Sequence, residues 1–434
     1  MKRFLTVLLA STAIHGGEAM AQTAPVVSKF EVAGIPVIFK PIRANDVVAL
    51  RMYLRGGAAN LSAANAGIES LMLNAATHGT ARYNKDAFAA LATSTGTAIG
   101  ADVNVDYSVL TLQGVRQHWN EAWDLFAEAA LRPTFPAAEV EIVRGQLVDV
   151  AKRRTDDPDT HLTFLADSLL YAGHPYAVLP GGTATSIAAI SRDALMAWHR
   201  ERMAKENLLI VVVGNVTRAD LTSKIQAAFG SLPAKGRNAG PVTSLGDVTP
   251  DLVVVKRELP TNYITGFFAA PNISDPDYAA FRVATDILGN RLFEEVRTKR
   301  NMTYAVAAGL ETRRANRGRV YVTAVDPDTT LKVIFSEVKR LQNELVPAAR
   351  MAENVNAALT AYLVRQETNM GQAAALGLWE LVGGSWQKYD LFLRAYRNVR
   401  PVDVQRVAKR YMHKARFAVI GDPAKVTRAL VLSF

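Results

Sequence analysis

The chain contains no cysteine among its 434 residues. This absence excludes disulfides, thiolate zinc sites, iron–sulfur clusters and cysteine nucleophiles. Beyond residue 21, no apolar run reaches the roughly 18 residues that a membrane-spanning helix needs, so the sequence predicts no stable membrane anchor. Lysine and arginine do not cluster with aromatic residues, which argues against a nucleic-acid partner.

The composition that remains is that of an ordinary globular protein. Hydrophobic residues make up 49% of the chain and charged residues 21%. The length is sufficient for more than one domain. A formal net charge of +10 is spread along the chain, which favours solubility and at most a mild preference for acidic partners.

The N-terminus has the pattern of an export signal. Lys2 and Arg3 precede an apolar run over residues 4–14, and a polar stretch then ends in Ala-Met-Ala at Ala21. A charged start, a short apolar middle and small residues at the end are typical of a secretory signal peptide. We therefore predict a signal peptide over residues 1–21, cleaved after Ala21, and an exported, most simply periplasmic, mature protein.

The rest of the chain consists of two similar halves. Residues 231–250 are rich in glycine, proline, serine and threonine and are predicted to be a linker between domains at 22–230 and 251–434. Both halves end in a helical pattern, an apolar strand and a glycine, namely Gly214 and Gly421. Alternating strands and long helices in each half predict an α+β fold of two homologous domains. Each domain would have a mostly antiparallel sheet with helices on one side.

Four segments carry a resemblance to a known family. Residues 67–83, 94–110 and 131–158 resemble the N-terminal domain of the pitrilysin/insulinase-type metallopeptidases, the inverted zincins, which include the mitochondrial processing peptidases. Residues 290–306 are similar to the C-terminal domain of that family. The resemblance covers nearly all of residues 30–430 in the same order and implies a half-clam of two such domains.

The zinc site of that family is absent from this chain. The family binds zinc through His-x-x-Glu-His on one helix and a glutamate on a later helix, because histidines four residues apart share one helix face. The matching positions hold Ser70, Leu73, Asn74 and Val150, none of which can provide that chemistry. Val150 is expected to continue an apolar core stripe with Val143 and Leu147.

Other side chains offer no replacement for this site. The chain has seven histidines, and no two are four residues apart. Glu69 and Asp149 neighbour the substituted positions, but on a helix they point about 100° away from them. We therefore predict no metal in this chain.

The resemblance implies one surviving functional pair in the second half. The family has an arginine and, seven residues later, a tyrosine that face the zinc across a central cavity, and these match Arg297 and Tyr304. The sequence predicts Arg297 toward the end of a helix over residues 290–300, and Tyr304 at the start of a strand after a turn at Asn301. Both side chains can donate hydrogen bonds to a peptide carbonyl or its oxyanion. The alternative is ordinary: Arg297 would be a solvated helix residue, and the Tyr304 ring would lie in the core at the start of a strand.

The resemblance implies a split enzyme. This chain would be the zinc-free, substrate-binding subunit of a heterodimeric zinc metallopeptidase. A homologous secreted subunit with an intact His-x-x-Glu-His motif would contribute the zinc, and the substrates would be peptides. The alternative is a catalytically inactive protein that binds peptides or scaffolds an assembly.

Overall fold

The computed structural model describes residues 26–434, so the predicted signal peptide and its cleavage after Ala21 lie outside the described residues. The first half contains a six-stranded sheet in the order β1-β2-β6-β3-β5-β4. Only β2 and β6 are parallel neighbours in it. Its strands are β1 (Ser28–Val32), β2 (Ile35–Pro41), β3 (Val47–Arg55), β4 (Ala98–Val103), β5 (Tyr107–Val115) and β6 (Leu208–Gly214). Its helices are α1 (Ile68–Ala75), α2 (Lys85–Ser94), α3 (Trp119–Leu131), α4 (Ala137–Arg153), α5 (Pro158–Leu170), α6 (Ala184–Ala189), α7 (Arg192–Arg202) and α8 (Arg218–Phe229).

The second half repeats this topology without a counterpart of β1. Its five-stranded sheet has the order β7-β11-β8-β10-β9, and β7 and β11 are its parallel neighbours. The strands are β7 (Asp251–Lys256), β8 (Asn262–Ala269), β9 (Val306–Leu310), β10 (Arg317–Ala324) and β11 (Arg416–Gly421). The helices are α9 (Tyr278–Leu292), α10 (Pro327–Asn343), α11 (Ala348–Val364), α12 (Asn369–Leu381), α13 (Lys388–Arg397), α14 (Pro401–Tyr411) and α15 (Arg428–Val431). The predicted α+β fold of two homologous domains is confirmed.

The two matching glycines show how closely the halves correspond. Gly214 ends β6 and Gly421 ends β11, with φ angles of +153° and +154°. Residues with a side chain rarely adopt such angles. A Cβ on Gly214 would also lie 2.7 Å from the backbone oxygen of Val47 on the neighbouring strand. Glycine is thus required at the same structural position in both domains.

Each sheet has helices of its own half on one face, as predicted, and a helix of the opposite half on part of the other face. In β6, Leu208, Ile210 and Val212 pack against helices of their own half, whereas the alternate residues belong to a core shared with the second half. That shared core includes α12, which lies on β3 and β6. Reciprocally, α5 of the first half lies on β7, β8 and β11. The second layer comes from the opposite half, so the halves bury each other's sheets.

Residues 231–250 contain no helix or strand and connect α8 to β7. None of the helices between residues 26 and 434 combines the length and the apolar character needed to cross a membrane.

Candidate functional site

The positions of the family's zinc motif lie on α1. Ser70 and Leu73 are packed into the domain, with exposed fractions of 6% and 2%. Asn74 is exposed, and its Nδ2 donates a hydrogen bond to the backbone oxygen of Ser70 at 2.8 Å. The leucine side chain has no atom that could accept a proton, and the Asn74 amide is hydrogen-bonded within its own helix. This face of α1 therefore has no zinc-binding character.

At the fourth motif position, Val150, the structure differs from the prediction made from the sequence. Val150 on α4 was expected to extend a core stripe with Val143 and Leu147, but its side chain is 59% exposed. The buried row runs instead from Val143 through Leu147 to Ala151, which is buried. Steps of four residues follow one helix face, and Val150 lies about 100° away from Ala151 on that helix. Val150 therefore places an apolar side chain on an open surface.

Glu69, the residue before Ser70, is bound inside the domain. It is 1% exposed, and its Oε1 accepts a hydrogen bond from Nε of Arg202 at 2.6 Å. Arg202 is itself fully buried, and Ser108 donates a second hydrogen bond to Glu69. Within residues 26–434, no group of three or more His, Asp or Glu side chains could hold a metal ion. The residues at the motif positions do not fit zinc.

The second part of the candidate site lies where α9 ends in a π-helical turn, Phe293–Thr298. The amide of Lys299 donates to the carbonyl oxygen of Glu294, five residues earlier, at 2.9 Å. Such isolated π turns frequently occur at functional sites. The chain leaves the helix at Asn301, whose φ of +49° is a left-handed conformation that asparagine tolerates, and the predicted turn is confirmed.

Arg297 lies between two aromatic rings in this turn. Its Cζ is 4.4 Å from the ring centroid of Tyr304 and 4.9 Å from that of Phe293. Tyr304 is 83% exposed and Phe293 is 48% exposed. Tyr304 also precedes β9 by two residues and does not begin the strand as expected. The structure therefore brings Arg297 and Tyr304 together, and the ring of Tyr304 is not part of the core.

The carboxylates closest to Arg297 in the sequence are bound by other cations. Nζ of Lys299 lies 3.0 Å from Glu294 and 2.7 Å from Glu295, and Arg300 lies 2.6 Å from Glu295. Hydrogen bonds from Lys299 and then Arg300 lower the pKa of Glu295 to about 2. In the part of the chain that the structure describes, the Arg297 guanidinium forms no ion pair and no hydrogen bond.

The stack formed by Arg297 and the rings of Phe293 and Tyr304 can bind a planar hydrogen-bond acceptor. A guanidinium between two rings is fixed in orientation while its edge keeps its N–H donors, which match a carbonyl or a carboxylate. Phe293 was missed from the sequence, although its place four residues before Arg297 is the spacing at which helix side chains meet.

Comparison with known proteins gives the same assignment for both halves. The model of the family "Insulinase (Peptidase family M16)" matches residues 37–171, and the model "Peptidase M16 inactive domain" matches residues 189–358. An uncharacterized zinc protease of Mycobacterium bovis is 24% identical over 319 residues, covering 71% of this chain and 73% of that protein. A protein of Helicobacter pylori named a non-peptidase homolog is 26% identical over 317 residues, covering 70% and 71%.

The fold comparison covers a larger share of the chain. A peptidase M16 inactive domain from Pseudomonas fluorescens superposes with a TM-score of 0.83 at 22% identity, covering 91% of this chain and 98% of that one. At this identity the likeness concerns the fold alone. The two family models between them match most of the chain, in the order of its two domains. The chain therefore belongs to peptidase family M16, the insulinase or pitrilysin family.

Proposed function

We propose that this protein is the zinc-free, substrate-binding subunit of a heterodimeric zinc metallopeptidase that cleaves peptides. The partner is a homologous secreted chain with an intact His-x-x-Glu-His motif, which supplies the zinc and the activated water. In this chain, Arg297 and Tyr304 bind the substrate's carbonyl oxygen and orient it. Residues 1–21 direct the protein to the periplasm in this proposal.

One observation carries the proposal. The guanidinium of Arg297 is held between two exposed rings with no carboxylate of the described residues bound to it, while the four zinc-motif positions offer no ligand. If the partner subunit binds the zinc and the attacking water, this subunit needs no metal site. It needs hydrogen-bond donors that are held in place and not already bound, and Arg297 and Tyr304 can be those donors. An ordinary solvated arginine would not require two aromatic neighbours.

The test is a peptidase assay with a quenched peptide on the mature chain, alone and mixed with a secreted M16 homologue of the same organism, with zinc. Activity is expected only in the mixture. Arg297→Ala is expected to lower kcat by about 10²–10³, the usual effect of removing one oxyanion donor, and Tyr304→Phe to lower it less. Size-exclusion chromatography should show the same complex for both variants.

Arg300→Ala is the matched control, because Arg300 is an exposed neighbour bound to Glu295 rather than to the stack. Full turnover by both Arg297→Ala and Tyr304→Phe would contradict their role. Chelator-sensitive activity of this chain alone would contradict the assignment of a zinc-free subunit.

The second candidate is a peptide-binding protein without a catalytic partner. The name of the Helicobacter pylori relative, a non-peptidase homolog, favours it. Peptide binding by the mature chain with no cleavage in any mixture would support this function over the split enzyme.

A further inference from the structure

A cavity of about 690 Å³ opens between α5 of the first half and the sheet of the second half. This volume is typical of sites that bind small ligands or one part of a larger one. The cavity is lined by half-buried side chains together with exposed residues of α5 and β9. Those that matter here are Arg154, Phe164, Leu179, Ala307, Arg319 and Tyr321.

The cavity exists because α5 covers only part of the sheet. α5 packs on β7, β11 and β8, and the sheet continues beyond it with β10 and then β9. Arg319 and Tyr321 lie two residues apart on β10 and so point to the same face of the sheet. Nε of Arg319 donates to Oγ1 of Thr265 on β8 at 3.2 Å, which places its guanidinium on the face that α5 leaves open.

Two arginines of the cavity have N–H groups that are not used in hydrogen bonds within the described residues. The terminal Nη atoms of Arg319 have no hydrogen-bond acceptor among residues 26–434, and its Cζ lies 4.6 Å from the Tyr321 ring centroid. Nη2 of Arg154 donates to the backbone oxygen of Gly182 at 2.9 Å, and its Cζ lies 5.8 Å from the Phe164 ring centroid. Neither guanidinium forms an ion pair within the described part of the chain.

One of the two carboxylates of the cavity wall is paired with arginines outside the cavity. Asp167 forms ion pairs with Arg317 at 2.9 Å and with Arg313 at 3.5 Å, and both of these lie outside the cavity lining. Asp159 is close to Tyr321, and burial together with hydrogen bonding to Asp159 raises the pKa of that tyrosine. The neutralisation of Asp167 leaves Arg154 and Arg319 facing a single acidic group, so the cavity carries excess positive charge.

The cavity adjoins the Arg297–Tyr304 pair through β9. Tyr321 is the pairing partner of Ala307, which follows Tyr304 by three residues. Three residues of chain span at most about 11 Å. β9 is the outer strand of its sheet, so its free edge can pair with an extended peptide. A peptide held at Tyr304 that continues along this edge would bring a side chain or its terminus to the cavity.

We propose that this cavity is a subsite for a carboxylate of the peptide substrate, bound by Arg154 and Arg319, with Phe164 and Tyr321 packing against the adjacent apolar atoms. The carboxylate belongs to an aspartate or glutamate side chain or to the peptide's C-terminus. This inference rests on the proposed peptide-binding function and adds the substrate class to it.

The test measures binding to the isolated mature chain by fluorescence anisotropy, with four labelled 12-residue peptides of otherwise uncharged sequence. Each peptide has either Glu or Gln at its centre and either a free carboxylate or an amide at its C-terminus. Comparing the four shows whether the bound carboxylate belongs to a side chain or to the C-terminus. The preferred carboxylate is expected to strengthen binding at least about tenfold, the scale of a charge-assisted hydrogen bond. Arg154→Gln and Arg319→Gln are each expected to abolish that difference between peptides.

Arg394→Gln is the matched control, since it removes the same charge from an exposed position on α13 and should leave the difference unchanged. Thermal unfolding of each variant establishes that the fold is retained. Equal binding of all four peptides, absence of binding, or a carboxylate preference that survives both cavity variants would overturn the proposal. A preference that persists while no mixture cleaves peptides would instead refute the split-enzyme function and leave the cavity's role standing.

Discussion

At the scale of single residues, burial decides how much a charge pair contributes. The Glu69–Arg202 pair is fully enclosed and links α1 to α7 beside the former zinc motif. The Glu201–Arg237 pair has a similar separation, 2.7 Å, but both side chains are 48% exposed. Water screens the second pair, whereas removing one partner of the first leaves a charge in the interior with nothing to balance it.

Replacing Glu69 by glutamine is therefore expected to be costly. Glu69→Gln should lower the free energy of unfolding by about 3–5 kcal/mol, because Arg202 remains buried and charged. Glu201→Gln, the matched control, should cost less than about 1 kcal/mol. Urea unfolding followed by circular dichroism measures both values. A similar small loss in the two variants would show that Glu69 does not compensate Arg202.

At the scale of helices and strands, the fold depends on α12 approaching the first sheet closely. Gly377 on α12 faces the ring of Tyr53 on β3, and a Cβ at this glycine would overlap the ring. Tyr53 is fully buried, and its hydroxyl accepts a hydrogen bond from Nε of Arg51 at 2.7 Å, so the ring has no space to move away. Gly377 is thus a packing requirement in a helix that would otherwise favour alanine.

Gly377→Ala is expected to destabilise the protein by about 1–3 kcal/mol, the usual cost of overpacking a core. Gly145→Ala on α4 is the control, because a Cβ there meets no atom within 4 Å. It should stabilise the protein by up to about 1 kcal/mol through helix propensity. Thermal unfolding measures the change in stability of both variants. Equal stabilisation by Gly377→Ala and Gly145→Ala would contradict the close contact between α12 and β3.

At the scale of the whole molecule, the two halves are held together by exchanged helices rather than by the connecting segment. α5 contacts the second sheet, where Asp167 forms an ion pair with Arg317 at 2.9 Å and Tyr171 donates to the backbone oxygen of Ala315 at 2.8 Å. α12 occupies the reciprocal position on the first sheet. The halves should therefore remain associated when the connection between them is broken.

A protease recognition sequence inserted between the exposed residues Thr243 and Ser244 tests this expectation. After complete cleavage, both halves are expected to elute together from a size-exclusion column without denaturant. The two halves of a cut Asp167→Asn chain should separate at a lower urea concentration, because the buried guanidinium of Arg317 then lacks its carboxylate partner. Separation of the cut wild-type halves without denaturant would contradict the role of the exchanged helices.

The amino-acid sequence alone determined the two-domain α+β fold, the family and the loss of the zinc motif. Local signals were sufficient for these conclusions, because strand and helix periodicities, the turn at Asn301 and the paired glycines depend on nearby residues. The side chains at positions 70, 73, 74 and 150 provide neither an imidazole nitrogen nor a carboxylate in any conformation. The sequence also indicated Arg297 and Tyr304 through the family resemblance.

Only the tertiary structure decided which surfaces meet. In the folded chain Val150 is exposed, Phe293 and Tyr304 both lie against Arg297, and part of each sheet is covered by a helix from the other half. A periodic pattern indicates a helix or strand with an apolar face, but it does not indicate which element covers that face. Contacts between residues as distant in the chain as Tyr53 and Ala373 depend on how whole domains pack, which no local pattern encodes.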